Sequence, residues 1–251
     1  MPVLTVSSEV RIAYEVVGAG NPIVLVHGFA SSRSMNWKTP GWYRTLEEAG
    51  RQVIALDVRG HGESSKPHDR AFYEEGELAL DVARLLDHLG HERADVMGYS
   101  MGGFITMRLL HDHHQRVRRA VIAGVGENYF GRGVMETDAL AAAMRATDAS
   151  SITGAVPRLF RTFAEQGKND LEALACCMTR DRHSFAPEEM VHVDTPVLLV
   201  LGERDNITGP AGGLGSVLRH STVEIVPGRD HMTTVGDKAY KAAVLRFLDL
   251  P

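Results

Sequence analysis

Short apolar runs and longer amphipathic stretches alternate along most of this chain. Val3 to Val6 and Val10 to Val17 alternate apolar and polar residues around a Ser-Ser turn, the pattern of two strands forming a hairpin at a sheet edge. Gly18 to Pro22 break that pattern. Ile23 to Val26 is then continuously apolar, as expected of a strand buried on both faces. A helix fits Trp42 to Ala49, stopped by Gly50, and Val53 to Leu56 is the next buried strand. Leu78, Val82, Leu85, Leu86 and Leu89 fall at i, i+4, i+7, i+8 and i+11, with Asp81, Arg84 and Asp87 between them and Gly90 as the stop. The pattern next predicts a strand over Ala94 to Tyr99, a helix from Met101 to about His111, and a buried strand over Val117 to Ala123.

From Gly124 to Met190 the alternation stops. The segment is helical in pattern over Thr137 to Arg145, Val156 to Gln166 and Leu171 to Met178, with no convincing strand. An interruption of that length inside an alternating fold reads as an inserted helical cap. Alternation resumes with a strand over Pro196 to Leu201, a helix over Gly212 to His220 and a strand over Thr222 to Val226. The last helix carries Tyr240, Ala243, Val244, Phe247 and Leu248 on one face. The expectation is an α/β protein with a mostly parallel sheet covered by helices on both faces. Its core is residues 1–123 and 191–251, and its cap is 124–190. In such sheets ligands bind beyond the carboxyl ends of the strands. His27, Asp57, Ser100, Asp205 and His231 all fall just past such ends, so the topology gathers them on one rim.

Composition narrows the function classes. The 251 residues are 44% hydrophobic and carry a formal net charge of −5. That suffices for one large core. It implies no strongly basic face, so nucleic acid is not an expected partner. No apolar stretch is long enough to span a bilayer, and Met1 to Thr5 do not begin a basic-then-apolar signal segment. The two cysteines, Cys176 and Cys177, are neighbours that cannot form a relaxed disulfide with each other. They read as reduced thiols in a cytoplasmic protein. Oligomeric state is left open.

The candidate chemistry centres on Gly98-Tyr99-Ser100-Met101-Gly102, where an apolar strand runs into a helical pattern. This is the layout of a nucleophile elbow, with one serine on a sharp turn and glycines where the flanking segments approach closely. A serine hydroxyl needs a base to take its proton and a carboxylate to orient that base. His231, in the turn after the last strand, is the best-placed base. His220 lies at a helix end, His192 precedes a strand, and His27 sits where a backbone N–H is needed. Asp205 is the favoured acid, with Glu127 and Asp230 as rivals. The backbone N–H groups of Met101 and Phe29 are the expected oxyanion donors. His27, Tyr99, Tyr129 and Phe130 are candidate substrate-lining residues. In the cap, Tyr129, Phe130, Leu159, Phe160 and Phe163 make an apolar surface that could equally line the site or hold the cap to the core. Asp57 and Arg59 read as a brace for the rim. His111-x-His113-His114 reads as a helix end suited to positive charge, not as a metal site. No metal or other cofactor is expected.

His27-Gly28-Phe29, Asp57-x-Arg59-Gly60-His61-Gly62-x-Ser64, Gly98-Tyr99-Ser100-Met101-Gly102-Gly103, Gly202-x-x-Asp205 and the late His231 together resemble the α/β-hydrolase superfamily. The order Ser100…Asp205…His231 is the one that superfamily uses. The resemblance implies an eight-stranded sheet, a helical cap over the site and an acyl-serine intermediate. It is similar in feel to small bacterial carboxylesterases and to carbon-ring enol-lactone hydrolases. Asp230 stands before the base where many relatives have glycine. The expected activity is hydrolysis of a small to medium carboxylic ester. Lactone or carbon–carbon bond hydrolysis is the runner-up, and a non-catalytic small-molecule receptor is the reading from another class. The serine at the elbow argues against haloalkane dehalogenase or epoxide hydrolase chemistry, which this superfamily performs with an aspartate there.

Overall fold

The computed structural model describes residues 1–131, 137–180 and 182–249. Residues 132–136 and 181, within the expected cap, and the last two residues lie outside them. The elements run β1 (Val3–Thr5), β2 (Arg11–Val17), β3 (Asn21–Val26), α1 (Trp42–Glu48), β4 (Arg51–Leu56), α2 (Glu75–His88), β5 (Ala94–Tyr99), α3 (Met101–His113) and β6 (Val117–Ala123). Then follow α4 (Thr137–Arg145), α5 (Ala155–Gln166), α6 (Leu171–Met178), β7 (Val197–Gly202), α7 (Gly212–Val217), β8 (Ser221–Val226) and α8 (Lys238–Leu248).

The eight strands form one sheet in the order β1-β2-β4-β3-β5-β6-β7-β8. β1 pairs antiparallel with β2, and β2 with β4; every later pairing is parallel. The chain leaves β3 toward β4, then crosses back to place β5 on the other side of β3. A reversal of this kind opens a crevice at the carboxyl ends of the strands involved. Here the loops after β3 and β5 border it, which brings the Phe29 loop against Ser100.

Burial follows the period-two alternation of strands. Ile23 and Leu25 face the same cluster as Val53, Met97 and Leu198, where Trp42 of α1 and Tyr240 of α8 pack. Val24 and Val26 face the other cluster with Ile54, Val96 and Leu199, covered by Leu85 of α2 and Ile105 of α3. Apolar residues of α4, α5 and α6, among them Leu140, Phe160 and Leu174, join this second cluster. Both cysteines are free and buried.

The elements differ from the pattern mainly at their ends. Polar Asn21 and Arg51 belong to β3 and β4, because ladder pairing continues past the apolar runs. α3 reaches His113 before a tight turn over His114–Arg116. α7 stops at Val217, since Leu218 is already extended at φ −108°, ψ 108° on the way into β8. Among the described residues β8 pairs only with β7 and is the outer strand, which leaves Val223 and Ile225 each 48% exposed. Among the described residues no helix is long and apolar enough to cross a membrane.

Candidate active site

Ser100 sits between the last residue of β5 and the first of α3, at φ 53° and ψ −115°. This left-handed backbone is costly for a residue with a Cβ and persists only where its surroundings enforce it. The surroundings here are tight. The Ser100 N–H donates to the Ala123 carbonyl at 2.7 Å, and the Gly103 N–H donates to the Ser100 carbonyl at 2.8 Å. A Cβ on Gly98 would collide with the Gly102 carbonyl, and one on Gly102 with the Val26 carbonyl. The two glycines let β3, β5 and α3 converge beneath the serine.

The Ser100 hydroxyl donates to His231 Nε2 at 3.0 Å. His231 Nδ1–H donates to Asp205 Oδ2 at 2.8 Å. The other carboxylate oxygen of Asp205 accepts the Ile207 and Thr208 amides at 3.0 and 3.1 Å, which fixes the plane of the group. Such bonding selects the tautomer with Nδ1 protonated and leaves Nε2 free to accept the serine proton. All three side chains are buried. The rival acids are engaged elsewhere. Glu127 Oε1 accepts the Gly213 amide at 2.9 Å, and the exposed Asp230 accepts the Met232 and Thr233 amides at 3.0 and 2.8 Å. Asp230 thus closes the turn that carries the base.

Two residues that position His231 were not read from the sequence in that role. The Tyr99 hydroxyl donates to the His231 carbonyl at 2.5 Å. Gly124, just past β6 at φ +65°, leaves room for the ring: a Cβ there would lie 3.1 Å from His231 Cε1. A glycine directly after a buried strand was the available signal for the second. Nothing local signals the first, because its partner lies 132 positions away.

The loop after β3 is held from below. His27 is fully buried; its Nδ1–H donates to the Gly28 carbonyl at 2.8 Å and its Nε2 accepts the Val58 amide at 3.0 Å. Burial pushes its pKa down, so the ring is neutral and structural. The Gly28 N–H donates to Asn36 Oδ1 at 3.0 Å. Asn36 is presented by a π-helical turn over Ser34–Lys38, closed by the Thr39 N–H on the Ser34 carbonyl at 2.9 Å. With the Gly28 amide tied down, the Phe29 amide is left with no acceptor among the described residues, and so is that of Met101.

A cavity of about 270 Å³ opens over Ser100. Its lining includes Phe29, Met35, Asn36, Tyr99, Ser100 and His231, with Phe160 and Phe163 from α5. Tyr99 is where it was expected. His27, Tyr129 and Phe130 are not part of this lining. His27 lies beneath the loop, Tyr129 stacks on Phe104 at 5.8 Å between ring centroids, and Phe130 packs edge-on against Tyr129 at 5.2 Å. Aromatic content alone marked Tyr129 and Phe130; only the path of the chain separates them from Phe160 and Phe163.

Asp57 accepts the Arg33 amide at 2.7 Å and the Glu63 amide at 2.9 Å, and is paired with the Arg33 guanidinium. Arg59 holds Asp81 bidentately at 2.6 and 2.8 Å. Both brace the rim. His111 bonds Asp112 at 2.6 Å and stacks on Phe185 at 4.0 Å.

The family described as alpha/beta hydrolase fold matches residues 21–171. A Synechocystis sp. relative named as a non-heme chloroperoxidase is 27% identical over an alignment of 273 residues, covering 92% of this chain and 93% of that one. A Pseudomonas putida 2-hydroxy-6-oxo-2,4-heptadienoate hydrolase is 38% identical over 112 residues, covering 43% of this chain and 38% of that one. The crystal structure of a hydrolase from Pseudomonas aeruginosa superposes with a TM-score of 0.78 at 24% identity, covering 99% of this chain and 98% of that one. With the sheet order and the family match in agreement, the chain belongs to the α/β-hydrolase fold family.

Proposed function

We propose that the protein is a serine hydrolase that cleaves small to medium carboxylic esters through an acyl-serine intermediate. The observation that carries this reading is the hydrogen-bonded line from Ser100 through His231 to Asp205, opening into the apolar cavity. Ser100 Oγ attacks the ester carbonyl while His231 Nε2 takes its proton. Asp205 holds the ring in the competent tautomer and stabilises the imidazolium. The Phe29 and Met101 amides, both without an acceptor among the described residues, donate to the developing oxyanion. His231 returns the proton to the departing alkoxide. Water, activated by the same ring, then releases the acid.

The cavity supports the substrate class. Its described lining contains no Asp, Glu, Lys or Arg, so it offers no partner for a charged acyl or alcohol group. At about 270 Å³ it lies near the lower end of the range for small-molecule sites. A compact, neutral, largely apolar ester fits both features. Of the runner-up, lactone or carbon–carbon bond hydrolysis, they weigh only against carbon–carbon cleavage of a carboxylate-bearing substrate, which would leave a carboxylate unpaired in this cavity; a neutral lactone fits as an ester does. We further assign residues 124–190 as a cap, since Phe160 and Phe163 of α5 line the same cavity as Ser100.

A fluorophosphonate probe labels the wild type and not Ser100→Ala, and p-nitrophenyl esters are turned over with a preference for short acyl chains. Equal labelling of the two proteins, or no turnover at any chain length, would overturn the reading.

A further inference from the structure

A second cavity, of about 250 Å³, lies between the first turn of α3 and the segment that follows α6. It shares no lining residue with the Ser100 cavity. Arg180 and Arg182 line it beside Phe104, Asn128, Tyr129 and Ser184, and its described lining contains no carboxylate. The adjoining groove is different: there Glu74, Glu75, Glu77 and Asp112 balance Arg108 and Arg182.

Arg180 is 4% exposed. Its Nη1 donates to the Cys177 carbonyl at 2.6 Å, while Nε and Nη2 are buried with no acceptor among the described residues. Nε and Nη2 form one edge of the guanidinium, the edge that grips an oxyanion with two parallel bonds. Elsewhere in this protein that edge is filled: Arg59 uses it on Asp81 at 2.6 and 2.8 Å, and Arg118 uses it on Asp95 at 2.9 and 2.7 Å. Arg182 lies 5.0 Å over the Phe104 ring, and burial together with Arg180 pushes its pKa down to about 10. The nearby buried acid, Glu75, lines the groove and not the cavity, and burial raises its carboxyl pKa, which weakens it as a counter-ion. A buried guanidinium and a partly buried one beside the same cavity, with no carboxylate in its described lining, are unfavourable unless an anion joins them.

We infer that the Arg180–Arg182 cavity binds a small oxyanion of the carboxylate or phosphate class, as a site separate from the ester pocket. An oxyanion there draws the open edge of Arg180 toward it and meets Arg182 from the other side. The site touches the elbow indirectly. Arg180 is bonded to the Cys177 carbonyl, Cys177 Sγ lies 3.8 Å from Met101 Sδ, and Phe104 is on the first turn of α3.

The test is thermal unfolding of the whole protein in sodium phosphate, sodium acetate and sodium chloride at matched ionic strength. Phosphate, acetate or both raise the melting temperature saturably, by about 5 °C once the ion exceeds its dissociation constant roughly a hundredfold. Chloride does not, and comparing the phosphate and acetate arms identifies the anion class. Arg180→Gln and Arg182→Gln each abolish the rise. The Arg182 variant reads the site independently if Arg180→Gln folds poorly. Ser100→Ala keeps the rise, so the result stands or falls apart from the ester reading. No rise with either oxyanion, an equal rise with chloride, or an undiminished rise in Arg182→Gln would overturn the assignment.

Discussion

The Tyr99 hydroxyl donates to the backbone carbonyl of His231 at 2.5 Å. The residue before the proposed nucleophile therefore holds the main chain of the proposed base. The bond joins the end of β5 to the loop after β8, elements that are not neighbours in the sheet. Tyr99→Phe keeps the ring and leaves a buried carbonyl without its donor, at a cost of about 1–3 kcal/mol. The expected outcome is a fall in kcat of roughly tenfold or more with KM little changed, because only the alignment of base and nucleophile is disturbed. Steady-state kinetics on a p-nitrophenyl ester decides it; an unchanged kcat would remove Tyr99 from the positioning machinery.

Asn36 holds the loop that carries one of the two proposed oxyanion donors. Asn36→Ala removes the acceptor of the Gly28 amide and frees the loop that carries the Phe29 N–H. A loss in kcat of about ten- to a hundredfold is expected, again with KM nearly constant. Asn36→Asp keeps an acceptor oxygen and restores part of the rate. If the alanine and aspartate variants lose activity equally, the bond to Gly28 is not what matters.

Phe163 lines the Ser100 cavity from the α5 side, and it is only half-buried, so trimming it has little effect on folding. Phe163→Ala shifts the preferred acyl chain toward greater length. The ratio of kcat/KM for an octanoate over a butyrate ester rises by about tenfold or more, in keeping with the worth of a few methylene contacts. A chain-length series measures it, and an unmoved optimum would place the acyl group elsewhere.

Acid sensitivity follows from two buried histidines beneath the β3 loop. His61 is fully buried, and burial, reinforced by His27 and Arg180, pushes its pKa down to about 3; burial also lowers that of His27. An unfolded histidine titrates near 6.5, so between that value and the folded value the unfolded chain binds more protons. Stability is therefore complete above about pH 6.5 and falls as the pH drops toward 3, by up to about 1.4 kcal/mol per pH unit for each such histidine. Urea midpoints measured from pH 7.5 down to 4.5 should decline. In His61→Asn, whose amide can still donate to the Arg59 carbonyl, the decline is shallower. An identical slope in both proteins would sink the assignment.

Much of the fold was legible because strand burial writes itself into local pattern. Ile23 to Val26 and Val53 to Leu56 are continuously buried, and each stands in the sequence as an apolar run; Ala94 to Tyr99 is equally buried although it contains Asp95. Element ends were less legible. The ladder at Asn21 and Arg51 is held by backbone bonds that side-chain polarity does not report.

The chain by itself determined the elbow. Gly98, Ser100 and Gly102 are spaced as the turn requires, and strand and helix patterns meet there because backbone sterics are local. It also singled out Asp205 and His231 as just past strand ends. Only the tertiary structure decided that Asp205, and not Glu127 or Asp230, bonds to His231, since that choice depends on where the loops after β7 and β8 meet. It alone decided which aromatics line the cavity, turning His27, Tyr129 and Phe130 away and bringing in Phe160 and Phe163. It alone exposed the open edge of Arg180. The physical reason is the same throughout. Periodicity encodes which face of an element is buried, whereas a site is made by side chains from separate elements, whose meeting is set by packing across the whole sheet.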